Sequence, residues 1–428
     1  MRRVVPLDAP PAGVVVTVPG GRSLTNRALV AAALAPGRST LRGIGRSDDT
    51  EAMVDCLTTL GAVVADAGPE AADLVVTGVA GRPRSGVEVF TRLSGTTSRF
   101  VTAVAALGDG PVRVDAAPPM RRRPMADLVD ALRALGVTVE EEGEPGHLPL
   151  TVTGPIAGDR VEVPGTVSSQ YLSGLLLAGG ARSGPLSITV NTDRLVSQPY
   201  VTMTRHVMAA FGVPVEVDGT TFRTAGGGYR PTDHTVAADA ATAGYLLAAA
   251  AITGGTVSVP SLPSAELQAD AEVVDVMEAM GCRVDRAGDG TVTVTGPPDG
   301  RLRGGSTFDL TAFSDMAPTV AVLAAFADGP TAVTGVGFIR GKETDRIAAS
   351  VAELRRVGVS AEETDDGFVV RPDGPPRGPA TIETYDDHRM AMAFALVGLV
   401  VPGISVADPG VVAKTHPGYW DDLDHLRS

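Results

Sequence analysis

Leu132-Arg133-Ala134-Leu135-Gly136-Val137-Thr138-Val139 reads as the end of an amphipathic helix, a glycine, and the start of a strand. Glycine suits the middle position because the residue just past a helix often takes a left-handed conformation. The same grammar appears in Cys56-Leu57-Thr58-Thr59-Leu60-Gly61-Ala62-Val63-Val64 and in Ala210-Phe211-Gly212-Val213-Pro214-Val215. It returns in Ala279-Met280-Gly281-Cys282-Arg283-Val284 and Arg356-Val357-Gly358-Val359-Ser360-Ala361. The glycines stand at 61, 136, 212, 281 and 358, with spacings of 75, 76, 69 and 77. Agreement this close across four intervals marks an internal repeat.

A second helix series keeps the same phase. Ser23–Ala35, Ser98–Leu107, Ser169–Leu177, Ala241–Ile252, Asp315–Ala327 and His388–Val400 are rich in Ala and Leu, with apolar residues on nearly every face. Such helices are buried. Alternating runs such as Leu186-Ser187-Ile188-Thr189-Val190 and Thr256-Val257-Ser258-Val259 supply strands. The repeat is therefore a buried helix, a strand, an exposed amphipathic helix and further strands. Six copies predict an α/β protein of two three-repeat domains. The predicted boundaries are 19–235 for the first domain and 236–428 for the second. The second also recruits the apolar strand within residues 1–18, so the chain crosses twice.

Composition narrows the function. The chain has 428 residues, 44% hydrophobic and 20% charged, with 51 Gly, 32 Pro and a net charge of −14. That balance is globular rather than disordered. It disfavours nucleic-acid and anionic-membrane partners, which call for a basic surface. A small anionic ligand stays compatible, because salt screens charges more than about 10 Å apart. The two cysteines, Cys56 and Cys282, sit in apolar contexts and read as core residues. No metal-ligand spacing, secretory signal or membrane-length apolar run is present, and the protein reads as cytoplasmic.

The polar residues that open the buried helices carry the functional signal. The openings are Gly21-Arg22-Ser23-Leu24-Thr25-Asn26-Arg27, Ser94-Gly95-Thr96-Thr97-Ser98-Arg99, Ser168-Ser169-Gln170 and Tyr385-Asp386-Asp387-His388-Arg389. Helix N-termini offer free N–H groups and partial positive charge to anions. Ordinary capping explains one such opening. Several openings with Arg just inside the helix ask for more, because Arg opposes the dipole there unless an anion is bound. Further cations lie in Arg121-Arg122-Arg123-Pro124, read as preceding a helix with Pro in its first turn. Others lie in Lys342-Glu343-Thr344-Asp345-Arg346 and in Ala413-Lys414-Thr415.

In this order, the segments resemble the 5-enolpyruvylshikimate-3-phosphate synthase family over nearly the whole chain. Lys342-Glu343-Thr344-Asp345-Arg346 and Asp387-His388-Arg389-Met390-Ala391-Met392 are the most specific blocks. The resemblance implies the enolpyruvyl transferase fold, an inverse α/β barrel of two domains, each of three βαβαββ repeats, with substrates in the cleft between them. It implies transfer of the enolpyruvyl group of phosphoenolpyruvate to the 5-hydroxyl of shikimate 3-phosphate, releasing phosphate, in a monomer without cofactor or metal. Shikimate 3-phosphate would be held by Ser23, Arg27, Ser168, Ser169, Gln170, Ser197, Tyr200, Asp315 and Lys342. Phosphoenolpyruvate would be held by Arg22, Gly95, Arg123, Gln170, Arg346, Arg389 and Lys414. Asp315, Glu343 and Lys414 would move protons, Asp315 at the hydroxyl and Glu343 at the methylene carbon, with Arg22 beside them.

Three positions depart from the family pattern. Arg22 replaces a Lys, Leu93-Ser94-Gly95-Thr96 alters the Asn-Ala-Gly-Thr motif, and Phe338 stands where a polar ligand is usual. These departures keep two alternatives open: a paralogue acting on a related acceptor, and a binding homologue with weakened catalysis. The UDP-N-acetylglucosamine transferase branch carries a Cys before its Arg-Pro helix, and Gly110 to Arg123 contains none.

Overall fold

The computed structural model describes residues 1–67, 73–164, 168–192 and 198–427. The chain forms two compact units, Pro19–Ala237 and a composite of Met1–Val18 with Ala238–Ser428.

In the Pro19–Ala237 unit, Val87–Phe90 runs parallel to Pro111–Asp115, and Leu150–Thr153 pairs antiparallel with both Pro111–Asp115 and Thr138–Glu141. Parallel neighbours need a crossover, here the Gly95–Ala105 helix, whereas the antiparallel pair closes as a hairpin. Arg160–Val163, Leu186–Val190, Thr221–Thr224 and Val215–Asp218 repeat that order. The third sheet takes its parallel strand, Asp233–Thr235, from the far end of the unit and places it beside Pro36–Arg42.

The composite unit repeats the scheme. Ala12–Val15 runs parallel to Thr256–Val259, so the strand expected from the start of the chain joins this unit. Thr307–Asp309 and Thr331–Thr334 begin the second sheet. The third has three strands: Ala380–Ile382 lies parallel to Ile404–Val406, and Arg2–Arg3 closes its edge antiparallel. The chain's own start thus replaces the hairpin that completes the other sheets.

The buried helix series lies where its composition requires. Ala240–Thr253 buries all but its last residue, and Arg22–Leu34 buries every residue from Leu24 onward. Each fully buried Leu contributes about 1.5–3 kcal/mol relative to exposure. All five repeat glycines have positive φ, from 77° at Gly358 to 106° at Gly61, so the helix-ending grammar is local and real. Cys56 and Cys282 are free and buried.

One local expectation changes. The helix after the arginine run is Ala126–Ala134, so Pro124 stands outside its first turn. A short Pro118–Arg121 turn comes before it, and Arg121 turns away to Asp115 at 2.9 Å. Arg122 ends that turn, and Arg123 follows it with its N–H bonded to Met120 O.

Candidate active site

In the composite unit the openings of two buried helices supply Asp315, Asp387 and Arg389 to a charge network centred on Arg346. Asp345 caps the Arg346–Arg356 helix, which fixes where Arg346 begins. Arg346 Nη1 donates to Asp315 Oδ1 at 2.8 Å, Nη2 to Glu343 Oε2 at 2.8 Å, and Nε to Asp387 Oδ2 at 2.7 Å. Arg389 Nη2 donates to the other oxygen of Asp315 at 2.7 Å, and its Nη1 to Tyr245 Oη at 3.2 Å. Lys414 Nζ reaches Glu343 Oε1 at 2.6 Å. Asp315, Glu343, Arg346, Arg389 and Lys414, scattered over a hundred residues of sequence, are one contiguous cluster.

Burial sharpens these charges. Asp387 is fully buried and Arg346 nearly so, while Lys414 is 36% exposed. Burial pushes Asp315 up, but Arg389, Arg346 and Lys342 more than offset it and hold the carboxylate well below the ordinary range. Burial likewise opposes ionisation of Glu343, and Arg346 and Lys414 override it in the same direction. Asp270 nearby lacks such direct cationic partners. Burial first, then the charge of Asp315, raises it to about 7. Lys342 lies 5.8 Å from the ring of Phe338, which is exposed.

The Pro19–Ala237 unit presents a different face. Arg99, nearly buried, donates to Gln170 Oε1 at 2.9 Å and to Pro124 O at 3.2 Å. Gln170 Nε2 in turn donates to Thr96 Oγ1 at 3.1 Å. Exposed Arg123 lies beside Arg99. A Cβ at Gly95 would fall 2.4 Å from Arg99 Nη1 and 2.9 Å from Arg123 Nη1. Among the described residues neither guanidinium has a carboxylate partner, and burial lowers Arg99 to about 10. Two cations against one bare glycine favour an anion. Arg22 is paired with Asp49 at 2.6 Å, and its helix has no side-chain cap. Ser168 caps the Ser169–Ala181 helix.

Arg27 is placed differently from an open ligand. It is 1% exposed, and its nitrogens donate to Thr204 Oγ1 at 2.7 Å, Ser23 O at 2.8 Å and Tyr200 O at 3.1 Å. It ties together the backbone of two other expected ligands. Ser197 lies outside the described residues.

Sequence reasoning assigned no role to Arg99, Asp387, Asp49, Asp270 or Tyr245. Arg99 stood inside a helix opening already marked as unusual for its Arg, whereas Asp387 was indistinguishable from an ordinary cap. Tyr245 carried a usable signal, a lone phenol in an otherwise apolar helix.

Comparisons with known proteins identify the family and the fold. The family model described as EPSP synthase (3-phosphoshikimate 1-carboxyvinyltransferase) matches residues 10–423. The chain belongs to this family. It is an enzyme of the carboxyvinyl transferase type. A protein of Nostoc sp. (strain PCC 7120), named 3-phosphoshikimate 1-carboxyvinyltransferase, is 43% identical over 414 residues, covering 96% of each chain. One of Thiobacillus denitrificans with the same name is 43% identical over 411 residues, covering 95% of each. Among solved structures, EPSP synthase from Acinetobacter baumannii superposes with a TM-score of 0.86 at 24% identity, over 99% of this chain and 97% of that one. The enolpyruvyl transferase NikO from Streptomyces tendae does so with a TM-score of 0.77 at 20% identity, over 99% and 97%. Both share the two-domain enolpyruvyl transferase fold. Among the described residues no helix is long and apolar enough to cross a membrane.

Proposed function

We propose that the chain transfers the enolpyruvyl group of phosphoenolpyruvate to the 5-hydroxyl of shikimate 3-phosphate, a step of the shikimate pathway toward aromatic amino acids. The observation that carries the reading is the Arg346 hub. It holds Asp315 and Glu343 ionised and joins them through Asp315 to Arg389 and through Glu343 to Lys414.

Phosphoenolpyruvate carries a phosphate and a carboxylate within a few atoms, so a site for it needs several cations. Arg22, Gly95, Arg123, Gln170, Arg346, Arg389 and Lys414 form the proposed set. Ser23, Arg27, Ser168, Ser169, Gln170, Ser197, Tyr200, Asp315 and Lys342 form the set for shikimate 3-phosphate. Within it Arg27 acts by fixing Ser23 and Tyr200, since its nitrogens already have protein acceptors.

The chemistry follows from charge. The 5-oxygen attacks C2 of phosphoenolpyruvate as its proton passes to Asp315, and C3 takes a proton delivered by the Glu343–Lys414 pair. A tetrahedral ketal phosphate results. Loss of phosphate and of one C3 proton gives the enol ether. In the free enzyme both carboxylates are held ionised. An incoming anion competes for Arg346, Arg389 and Lys414, which loosens that hold and lets Glu343 carry a proton when substrate is present. Arg22 stays charged throughout and serves as an anion clamp rather than a proton donor.

Phosphate release from phosphoenolpyruvate, with shikimate 3-phosphate as sole acceptor, tests the reading. Asp315→Asn and Glu343→Gln are expected to lower kcat by about 10²–10⁴, the usual worth of general acid–base groups. Wild-type protein that is folded yet releases no phosphate would instead support a related acceptor or a binding homologue. Near-normal turnover by Asp315→Asn would remove Asp315 from the mechanism.

A further inference from the structure

Two consecutive residues, Tyr385 and Asp386, hold φ of 53° and 56°. Side chains with a Cβ rarely adopt that conformation, and strain of this kind persists only where surroundings enforce it. The turn sits immediately before Asp387, whose carboxylate accepts from Arg346 and from the N–H of Arg389 at 2.8 Å. A relaxed turn would move Asp387, and with it both guanidiniums.

The enforcing group is Glu353. It is fully buried, yet its carboxylate takes donors from three places. Tyr385 Oη donates to Oε1 at 2.7 Å, the N–H of Glu383 donates to Oε2 at 3.1 Å, and Arg356 Nε reaches both oxygens at 3.0 and 3.1 Å. Glu353 also lies on the helix that begins with Arg346. Arg346, Ser350 and Glu353 fall at i, i+4 and i+7 and so share one face. Arg346 grips Asp387, Ser350 Oγ meets Met390 Sδ at 3.8 Å, and Glu353 grips Tyr385 and Glu383. One helix face thus clasps the whole segment 383–390. A carboxylate with no exposure and no path to substrate has no direct chemical task.

We infer that Glu353 is a positioning residue, which holds the Tyr385-Asp386 turn in its strained form and thereby sets the geometry of Arg346, Asp387 and Arg389. The inference rests on the proposed binding of phosphoenolpyruvate by Arg346 and Arg389. If it is correct, removing the Glu353 clasp loosens the cation cluster, and removing the strain makes the clasp unnecessary.

The test is steady-state kinetics on Glu353→Gln, Tyr385→Phe, Asp386→Gly and the double variant Glu353→Gln with Asp386→Gly, each checked by thermal melting. Tyr385→Phe and Glu353→Gln are expected to raise KM for phosphoenolpyruvate about five- to fiftyfold, with KM for shikimate 3-phosphate changed less than about threefold. Asp386→Gly alone should be near wild type, since glycine accepts positive φ freely. In the double variant it should recover most of the lost phosphoenolpyruvate affinity. A merely structural buried carboxylate would show destabilisation that Asp386→Gly does not repair, and that result would overturn the inference. Should Glu353→Gln not fold, Tyr385→Phe with and without Asp386→Gly gives the same comparison from an exposed position. Arg389→Lys separates the two levels. If it leaves KM for phosphoenolpyruvate unchanged, the site reading itself fails. If it raises KM while Glu353→Gln and Tyr385→Phe do not, only the Glu353 inference fails.

Discussion

Gly95→Ala isolates the anion site of the Pro19–Ala237 unit with one methyl group. The added Cβ would lie 2.4 Å from Arg99 Nη1, 2.9 Å from Arg123 Nη1 and 3.2 Å from Arg123 Cζ, where ordinary contact begins at 3.4 Å. Arg123 is exposed and can swing aside. Arg99 is nearly buried and pinned by Gln170 at 2.9 Å and Pro124 O at 3.2 Å, so a retreat of about 1 Å breaks at least the Gln170 bond. With that bond gone, Gln170 is no longer held toward the ligand, and loss of its hydrogen bond to a charged substrate, worth about 1.5–3 kcal/mol, corresponds to roughly ten- to hundredfold in affinity. Backbone stability moves the other way, because alanine is better than glycine in a helix by about 1 kcal/mol. The gain is smaller than the cost of the broken bond, so the variant is expected to melt somewhat below the wild-type temperature. Its KM for phosphoenolpyruvate rises ten- to hundredfold on these energies, and its KM for shikimate 3-phosphate changes little. Initial rates at varied phosphoenolpyruvate with saturating acceptor measure this directly. A KM within about twofold of wild type would refute the placing of phosphoenolpyruvate against Gly95, Arg123 and Gln170.

Two further outcomes concern stability and reactivity. Asp270 is raised to about 7 by burial and by Asp315, so folding disfavours its ionised form. The cost is absent at pH values below an ordinary carboxylate pKa, grows as pH rises, and is complete above about 7. Asp270→Asn should therefore match wild type in urea midpoint near pH 4 and exceed it at pH 8, and equal midpoints at pH 8 would contradict the burial argument. Burial also pushes the thiols of Cys56 and Cys282 up to about 12. A disulfide reagent at pH 8 should find neither thiol in the folded enzyme and both in denaturant, and rapid labelling of the native protein would count against the burial of the two residues.

Much of the architecture is written locally. Each of the glycines at 61, 136, 212, 281 and 358 ends a helix by its own backbone freedom, and the Ala-rich segments need burial whatever surrounds them. Those signals depend on neighbours a few residues away, so the repeat was legible. The start of the helix after Arg123 was not, because Pro124 is compatible both with the first turn of a helix and with the loop before one.

The site divides along the same line. That Arg22, Gly95, Gln170 and Arg389 open or closely follow the starts of helices could be read from sequence, since capping is a short-range matter. Which charges would be sequestered could not. Arg27 and Arg123 are each an arginine near a helix start. The first is buried because Ser173, Tyr200 and Thr204, more than a hundred residues away, supply acceptors for its N–H groups. The second stays exposed beside Gly95 with no such partners. Glu353 is the sharper case, because on its own helix it looks like one more surface carboxylate. Only the return of segment 383–385 to pack over that helix buries it and adds the Tyr385 and Glu383 donors to that of Arg356. Burial and electrostatic partnership are properties of distance in space, and the order of residues along a chain does not specify them until the chain has folded.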